Sequence, residues 1–501
     1  PASDPDRYFR TDHLEADLKG RSVRSGAVTL TAQVAKFLLI MGSNVVLARL
    51  LAPEDYGLMA MLATVTNLVN NFQDLGLSQA TVQKSKINHK QVSTLFWINV
   101  VFGVAIALGF AALSPAFAWF YKEPRLTSIS IALSVGFILG GLRVQHQALL
   151  RRQMGFSAIA AIDIISLIVG IGVAIVCAWY GSDYWSLVIM QLVMGLINTV
   201  GSWIACSWRP GLPVRHSGIR SMLTFGGHLT GFNILNYFIR NFDNVLIGWR
   251  WGAVELGLYA KAYQLLLLPI QQINTPIGNV ALPALSRLQS DPERYKSYYY
   301  KGIRLMVTLG MPLVAFLFIT ADKVILLILG KQWLNTVPIF QLLVPATFLG
   351  TFNMATGWVY TSLGRADRML AWNLMSTPIT VLSFVIGLPW GAKGVAAAFS
   401  ICVLIIRIPG IIHSFQGSPL RLTDFASTIA RPTLASIGAG VAIAGINLFL
   451  SDMNAVLVLL VDSVFYALVY VALWLTPPNG KQAVIEMLSI AKSFKQKPKT
   501  S

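Results

Sequence analysis

The sequence is poor in charged residues for its length. Only 12% of its 501 residues are Asp, Glu, Lys or Arg, whereas soluble domains carry roughly 25%. Hydrophobic residues make up 55% of the chain, and the mean hydropathy is +0.62. The chain has too few charged residues to cover a soluble protein of this size, and we therefore expect an integral membrane protein.

The sequence also lacks cysteine pairs and catalytic motifs. Its three cysteines, Cys177, Cys206 and Cys402, lie in apolar segments without CxxC spacing, so we interpret them as small core residues. There is no GxxxxGK[ST], no HExxH and no GxSxG with suitably placed partners. We therefore expect a protein that is not an enzyme and that uses no metal or cofactor. If the protein moves a substrate across a membrane, the lack of a nucleotide site leaves an ion gradient, the membrane potential or downhill flow of substrate to drive it.

Long hydrophobic runs make up most of the remaining sequence. A membrane-spanning helix needs about 20 apolar residues, and we predict fourteen such helices. Their ranges are 27–50, 56–79, 92–114, 126–149, 157–180, 184–207, 221–247, 256–282, 302–321, 337–362, 369–389, 393–415, 426–450 and 454–475. The predicted fold class is an all-α integral membrane protein with about fourteen transmembrane helices.

Lysine and arginine are distributed unevenly over the predicted loops. With the amino terminus in the cytoplasm, the loops on that side hold 25 of these residues and the opposite loops hold 7. Cytoplasmic loops carry such an excess, which predicts a multi-pass protein with both termini in the cytoplasm. The same distribution accounts for the net charge of +18 without a nucleic acid partner. We expect the basic segment after Pro478 to lie against anionic membrane lipids.

A short repeat relates two parts of the chain at an offset of 200 residues. Each copy has an apolar helix, a turn containing an acid, and Gly-Leu at the start of the next helix; the identities are Asn44/Asn244, Val45/Val245, Gly57/Gly257, Leu58/Leu258 and Ala60/Ala260. Six predicted helices precede the second copy, so both halves enter the membrane in the same direction and the repeat is parallel. This organisation predicts a cytoplasmic tail at 1–24, six-helix lobes at 25–208 and 219–415, two further helices at 425–475 and a basic cytoplasmic tail at 476–501.

Charged residues inside the predicted spans define the candidate site. Such charges are costly at membrane depth and normally face a cavity or a partner. The bases are Lys36, Arg143, Arg240, Lys261, Arg304, Arg407 and Arg431, and the acids are Asp74, Asp163, Asp243 and Asp462. Arg143, Arg304 and Arg431 lie near cytoplasmic ends, where they either snorkel to lipid headgroups or line a cavity. The surplus of bases favours an anionic substrate, since both Arg and Lys bind phosphate oxygens.

The segment from 233 to 283 concentrates polar residues within apolar helices. Its candidate substrate-binding residues are Asn236, Arg240, Asp243, Asn244, Lys261, Gln271 and Gln272. Arg240 and Asp243 lie on one helix face at i and i+3, where they either neutralise each other or line a polar path. Pro269, Pro276 and Pro283 allow kinks, and the polar groups beside them either satisfy freed carbonyls or belong to a bending element. Aromatic residues of this segment, including Trp249 and Trp251, either anchor the interface or stack on sugar rings.

Four stretches of the sequence carry a resemblance to a known family. They read ARLLAPEDYGLMAM at 48–61, RNFDNVLIG at 240–248 continuing through LGLYAKAY at 256–263, NVALPALSRLQSD at 279–291, and VILLILGKQW at 324–333. In these stretches the chain resembles the polysaccharide transporter family, the Wzx-like oligosaccharide flippases of the MOP superfamily, which are similar to MATE transporters. The PEDYG form is most similar to exopolysaccharide exporters of the succinoglycan type.

The resemblance implies a fold and a substrate. It implies a V-shaped bundle of two six-helix lobes around a cationic central cavity, with Arg240 and Asp243 facing that cavity. The implied substrate is an undecaprenyl-diphosphate-linked oligosaccharide, carried across the bacterial inner membrane by alternating access for exopolysaccharide, capsule or O-antigen synthesis. A polysaccharide polymerase and a co-polymerase are further expected partners.

Two alternatives to this function stay open from the sequence. The first is a lipid II flippase or a MATE-type drug exporter, although an exporter of cations should show surplus acids in its spans. The second is a membrane glycan polymerase or glycosyltransferase, although such enzymes need a sizeable outer loop with catalytic groups, and every predicted outer loop here is short.

Overall fold

The computed structural model of the protein describes residues 8–9, 18–73, 77–84, 87–214, 241–448 and 454–476. Within these ranges the regular structure is helical and contains no strand. Ten segments in the described part are long and apolar enough to cross a membrane, and one of them, Ala366–Phe415, holds two helices. The predicted all-α membrane fold is therefore confirmed. Most of the predicted span 221–247, with Asn236 and Arg240, lies outside the described residues.

The first compact unit extends to Gly257. Its helices are α1 (Leu18–Leu50), α2 (Pro53–Gln73), α3 (Leu77–Gln83), α4 (His89–Ala112), α5 (Ser114–Tyr121), α6 (Arg125–Arg152), α7 (Phe156–Trp179) and α8 (Trp185–Ala205), followed by the start of α9 (Phe242–Arg287). Helix α6 lies at the centre and packs against α3, α4, α5 and α8, while α7 packs between α1 and α8.

Local sequence sets the helix boundaries in this unit. Asn88 begins α4 with a capping box, since its side chain accepts a hydrogen bond from the Gln91 amide at 2.9 Å and the Gln91 side chain accepts one from the Asn88 amide. Pro115 starts α5, because proline lacks the amide proton that the first turn leaves unused. The sequence did not predict α5, whose apolar residues continue the hydrophobic run of α4.

The second compact unit begins at Leu258, within α9. Its further helices are α10 (Pro292–Ile319), α11 (Ala321–Ile328), α12 (Thr336–Gly350), α13 (Asn353–Ser362), α14 (Ala366–Gly387), α15 (Gly391–Phe415), α16 (Leu422–Asn447) and α17 (Ala455–Leu475), with short 3-10 turns at Lys331–Trp333 and Leu388–Trp390. Helix α10 packs against α16 and α12, α15 packs against α12 and α14, and α17 packs against α16.

In two segments of the second unit, the helices differ from the spans predicted from the sequence. The predicted spans 256–282 and 302–321 leave residues 283–301 between them, but α9 continues to Arg287 and α10 begins at Pro292, capped by the Asp291 side chain. Tyr295 and Tyr299, four residues apart, share one face of α10 and are buried in the core. The predicted span 337–362 is interrupted at Thr351 and Phe352, between α12 and α13.

The two copies of the repeat pack directly against each other. The first turn of α2 meets the part of α9 that follows Gly252, whose φ of 83° interrupts that helix. A Cβ atom built on Gly57 would lie 1.7 Å from the Ala253 carbonyl oxygen, and one built on Gly257 would lie 1.9 Å from the Pro53 carbonyl oxygen. Positions 53 and 57 correspond to 253 and 257, so the contact is reciprocal. This geometry supports the repeat and explains its glycines, because small residues four apart let helix backbones approach closely in membranes.

Candidate functional site

Lys36 has an acidic partner on another helix of the first unit. It forms an ion pair with Asp163 of α7, and the two side chains are 26% and 30% exposed. Asp163 also interacts electrostatically with Arg143 of α6. One carboxylate therefore faces two cationic side chains, and this cluster keeps a net positive charge. All three residues were predicted as charges within the spans, but the sequence does not show which of them interact.

Arg407 of α15 is held by Asn353 in the second unit. One Nη1–H of Arg407 donates to the Asn353 Oδ1 atom. The Arg407 Nε atom is buried and has no hydrogen-bond partner among the described residues. A buried donor without a partner costs about 1–3 kcal/mol, so an oxygen of an anionic ligand would relieve that cost. Asn353 was not among the sequence-predicted site residues.

The interruption between α12 and α13 lies beside this arginine. The Asn274 side chain donates to the Thr351 carbonyl at 3.0 Å, and the Thr351 hydroxyl donates to the Phe348 carbonyl at 2.8 Å. Irregular backbone at membrane depth occurs where protein buries it or where it lines a polar cavity. Polar side chains from α9, α13 and α15 therefore meet at one interrupted helix. The sequence LGTFN at 349–353 carried the signal, since Gly, Thr and Asn together weaken a helix.

The remaining predicted site residues are divided between the two units. In the first unit, Asp243 is buried and its Oδ1 atom accepts a hydrogen bond from the Asn244 amide at 2.8 Å. In the second, Lys261 is buried, with its Nζ atom 3.5 Å from Gln264 Oε1. The others are Gln271 and Gln272, exposed on α9, and Arg304, partly exposed on α10. Because Arg240 and Asn236 lie outside the described residues, their roles and the pairing of Arg240 with Asp243 stay predictions.

A second buried acid stabilises the fold. Asp462 of α17 is fully buried and its Oδ2 atom lies 3.0 Å from Lys323 Nζ of α11. Asn447 of α16 joins them, accepting from Lys323 at 2.8 Å and donating to Asp462 at 3.2 Å. Lys323 comes from a predicted outer loop, so Asp462 does not offset any base inside the spans. Among the described residues, Asp462 therefore leaves the basic residues of the spans without a counter-charge from α17.

Loops that were predicted on one side of the membrane meet at one end of the first unit. Arg125 bonds to Glu54 and Glu123 and lies 5.9 Å from the centre of the Tyr184 ring. These hydrogen bonds from Arg125 lower the pKa of the Glu123 carboxyl. At the other end, Arg152 donates to the Thr81 carbonyl at 3.1 Å, which joins two loops predicted to be cytoplasmic. These contacts bring together loops that the distribution of Lys and Arg had predicted to lie on the same side of the membrane.

Similarity to solved structures defines the fold. The lipid II flippase MurJ in an inward closed conformation matches with a TM-score of 0.71 at 14% identity, over 90% of this chain and 98% of that one. An inward-facing multidrug MATE transporter of the MOP superfamily matches with a TM-score of 0.60 at 14% identity, over 76% of this chain and 94% of that one. At such identities these likenesses show the fold alone. The fold is that of MOP transporters.

Similarity of sequence defines the family within this fold. The profile of the family described as "Polysaccharide biosynthesis protein" matches residues 46–338, more than half of the chain. The chain belongs to this family. It is 25% identical to the lipopolysaccharide biosynthesis protein WzxC of Escherichia coli over 74% of this chain and 75% of that protein. It is also 23% identical to the succinoglycan biosynthesis transport protein ExoT of Rhizobium meliloti, over 78% and 80%. The protein is a multi-pass membrane transporter of polysaccharide biosynthesis and not an enzyme.

Proposed function

We propose that the protein is a flippase for an undecaprenyl-diphosphate-linked oligosaccharide. It moves this repeat unit from the cytoplasmic to the periplasmic leaflet of the bacterial inner membrane, by alternating access, for the synthesis of a surface polysaccharide. The observation that carries the proposal is Arg407, which is anchored by Asn353 beside an interrupted helix and retains a buried, unused Nε–H.

The diphosphate is the part of this substrate that the basic residues would bind. Arginine binds phosphate oxygens through paired donors, and one of the Arg407 donors is already fixed by Asn353. Fixing the side chain in advance reduces the entropy that binding must remove. Lys36, Lys261, Arg304 and Arg240 belong to the same proposed set. In this arrangement Asp163 competes with the diphosphate for Lys36, which limits the strength of binding and so favours release of the substrate.

The sugars and the lipid tail have different requirements. Exposed polar groups on α9, among them Gln271, Gln272 and, through its partly exposed side chain, Asn244, offer hydrogen bonds to hydroxyl groups. The tail stays in the bilayer, where its apolar chain needs no protein partner. The names of the relatives, which concern lipopolysaccharide and succinoglycan, also support a glycan cargo.

The charge of the spans supports this cargo over a cationic drug. Within the described residues, Asp163 pairs with Lys36 of the spans, and Asp462 pairs with Lys323. A site for a cationic drug would need acids left available at membrane depth. Lipid II shares the undecaprenyl diphosphate, so the test must vary the glycan.

Leaflet exchange in proteoliposomes tests the proposal. Labelled undecaprenyl-diphosphate oligosaccharide is reconstituted with the purified protein, with and without an ion gradient, and unlabelled lipid II or a drug cation is added as a competitor. We expect Arg407→Ala to slow exchange about tenfold to a hundredfold, because it removes a charge-assisted contact of about 1.5–3 kcal/mol. Arg407→Lys should retain part of the activity, since it keeps the charge but loses the fork.

The control for this test is Arg294→Ala. The Arg294 side chain is 76% exposed in the first turn of α10, so its loss should leave exchange unchanged. Wild-type exchange by a folded Arg407→Ala protein would contradict the assigned role of this arginine. Exchange that is independent of the diphosphate, or blocked best by a drug cation, would contradict the proposed cargo.

A further inference from the structure

A cavity of about 460 Å³ lies at one end of the first unit. It lies where the turn between α5 and α6 meets the interruption of α9, and the residues used below are Tyr121, Lys122, Glu123, Trp249, Arg250 and Gly252. Ligand sites for small molecules span about 300–1,000 Å³ and combine aromatic walls with a few polar groups. The cavity has this size and composition. By the distribution of Lys and Arg, it lies at the end of the unit that is predicted to face the exterior.

The backbone brings a lysine to the wall of this cavity at some energetic cost. Lys122 follows α5 with a φ of 56°, in the left-handed region. The Glu123 amide donates to the Ala118 carbonyl at 3.0 Å, which completes a Schellman motif. Glycine is the usual residue at this position, because a residue with a side chain is less stable in the left-handed region. The fold therefore carries a charged residue where glycine would be more stable.

Two cationic side chains in the cavity wall are available to a ligand. Lys122 and Arg250 form no ion pair with any residue that the structure describes. The one acid of the wall is already satisfied, because Arg125 Nε and Nη2 lie 2.8 and 2.9 Å from the Glu123 oxygens. The cavity is therefore suited to a ligand with a negative charge.

An aromatic ring lies beside these cations. Trp249 is 46% exposed, and one side of its ring stacks on Phe120 with 6.4 Å between the centroids. Tyr121 is buried below, with its hydroxyl directed at the Met61 carbonyl at 3.4 Å. A supported and half-exposed indole presents a flat apolar face on which the apolar face of a sugar ring can stack. An aromatic residue that only anchors a membrane interface needs neither a cavity nor paired cations.

We propose that this cavity is a binding subsite for an acidic sugar. Trp249 stacks on the ring, and Lys122 and Arg250 bind its carboxylate. The inference rests on the proposed function in taking a glycan as the cargo, but it concerns residues separate from the bases of the spans. At the predicted exterior end, the subsite would hold a sugar of the repeat unit after the diphosphate has crossed the membrane.

Direct binding to the purified protein in neutral detergent tests this subsite without any transport. The probe is trigalacturonic acid, its methyl ester is the uncharged control, and saturation-transfer NMR detects contact of the sugar with the protein. We expect transfer to the acid and several-fold weaker binding of the ester. Trp249→Ala and Lys122→Gly should each weaken binding of the acid about tenfold, the effect of one lost contact of about 1.4 kcal/mol.

The lysine variant separates binding from stability. Lys122→Gly relieves the left-handed backbone, so its melting temperature should equal or exceed that of the wild type while binding falls. Trp119→Ala is the matched control for the aromatic residue, because Trp119 is 81% exposed and does not line the cavity. Equal binding of acid and ester, or unchanged binding in both cavity variants, would overturn the proposal.

The main competing ligand is an anionic lipid headgroup, which also carries a negative charge. Phosphatidylglycerol bicelles are therefore titrated against the sugar. If the bicelles displace the sugar acid and Lys122→Gly weakens only the binding of the lipid, the cavity is a lipid site and the proposal fails. Binding of the acid without leaflet exchange in proteoliposomes would overturn the flippase function alone. Leaflet exchange without binding would overturn the subsite alone.

Discussion

Replacing Gly57 or Gly257 by alanine should separate the two repeat copies. Each added methyl group would meet a backbone carbonyl oxygen, at 1.7 Å for Gly57 and 1.9 Å for Gly257. Ordinary van der Waals contact begins at 3.4 Å, so each variant needs about 1.5–1.7 Å more room. No rotamer change can provide it, because the opposing atoms belong to the backbone. The α2 and α9 helices must therefore move apart and lose their packing.

The expected loss in the free energy of unfolding is at the upper end of the range for overpacked cores. Inserted methyl groups cost about 1–3 kcal/mol in well-packed cores, and here the obstruction is rigid, so we expect about 3 kcal/mol for either variant. For a unit of this size that corresponds to a melting temperature lower by roughly 6–12 °C. Both methyl groups require the same separation, so the double variant should cost clearly less than the sum of the two single variants.

Thermal unfolding of the detergent-purified protein measures these effects. Gly42→Ala and Gly136→Ala are the matched controls, because no described atom lies within 4 Å of a Cβ atom at either position. Both lie within helices, where alanine is favoured over glycine by about 1 kcal/mol, so their melting temperatures should stay equal or rise. If Gly57→Ala and Gly257→Ala unfolded at the same temperature as these controls, α2 and α9 would not cross at the glycines and the reasoning would be refuted.

Three further predictions concern ion pairs. Asp462→Ala should destabilise the protein by about 3–5 kcal/mol, because Lys323 loses its buried partner. The control is Asp322→Ala, since Asp322 is exposed beside Lys323. Equal melting temperatures for the two variants would contradict this prediction. Lys36→Met should weaken binding of undecaprenyl diphosphate to the purified protein several-fold. Asp163→Asn should strengthen this binding, because it removes the carboxylate that competes with the phosphate for Lys36. If both variants changed the affinity in the same direction, Lys36 would not be a phosphate-binding residue. The Glu123 carboxyl has a pKa below its ordinary value of 4.5 because Arg125 bonds to it. Its stabilising contribution is therefore complete above that value and is lost as the pH falls through the lowered pKa of the folded state. Thermal melts of Glu123→Gln across this range should show a weaker dependence on pH than the wild type, and identical curves would argue against the pair.

Hydropathy predicted most of the helices, because a long apolar run has few other stable conformations in a membrane. The same criterion missed the interruption at Thr351, where the residues stay apolar enough to continue a span. It also missed α5, since a short apolar helix after a span has the composition of the span itself. Tyr295 and Tyr299 fall outside the predicted spans because their polar neighbours dominate the local average.

The site was less predictable than the fold. Single charges in apolar runs made Lys36 and Arg407 candidates, because such residues are rare and costly. Their partners could not be identified, since Asp163 is 127 residues from Lys36 and Asn353 is 54 residues from Arg407. Sequence periodicity reaches only a few turns of helix, whereas these pairs depend on how helices pack. The repeat was the exception, since Gly57 and Gly257 were matched by sequence and then found in reciprocal contact.

The Lys323–Asp462 pair has a consequence for biogenesis. Lys323 is synthesised 139 residues before its carboxylate partner, so during translation its ammonium group stays without that partner until α17 has been inserted. Insertion of the last described helix then neutralises a charge that the nascent chain has exposed for over a quarter of its length. A chain stopped after α16 would therefore keep the Lys323 charge without its carboxylate partner.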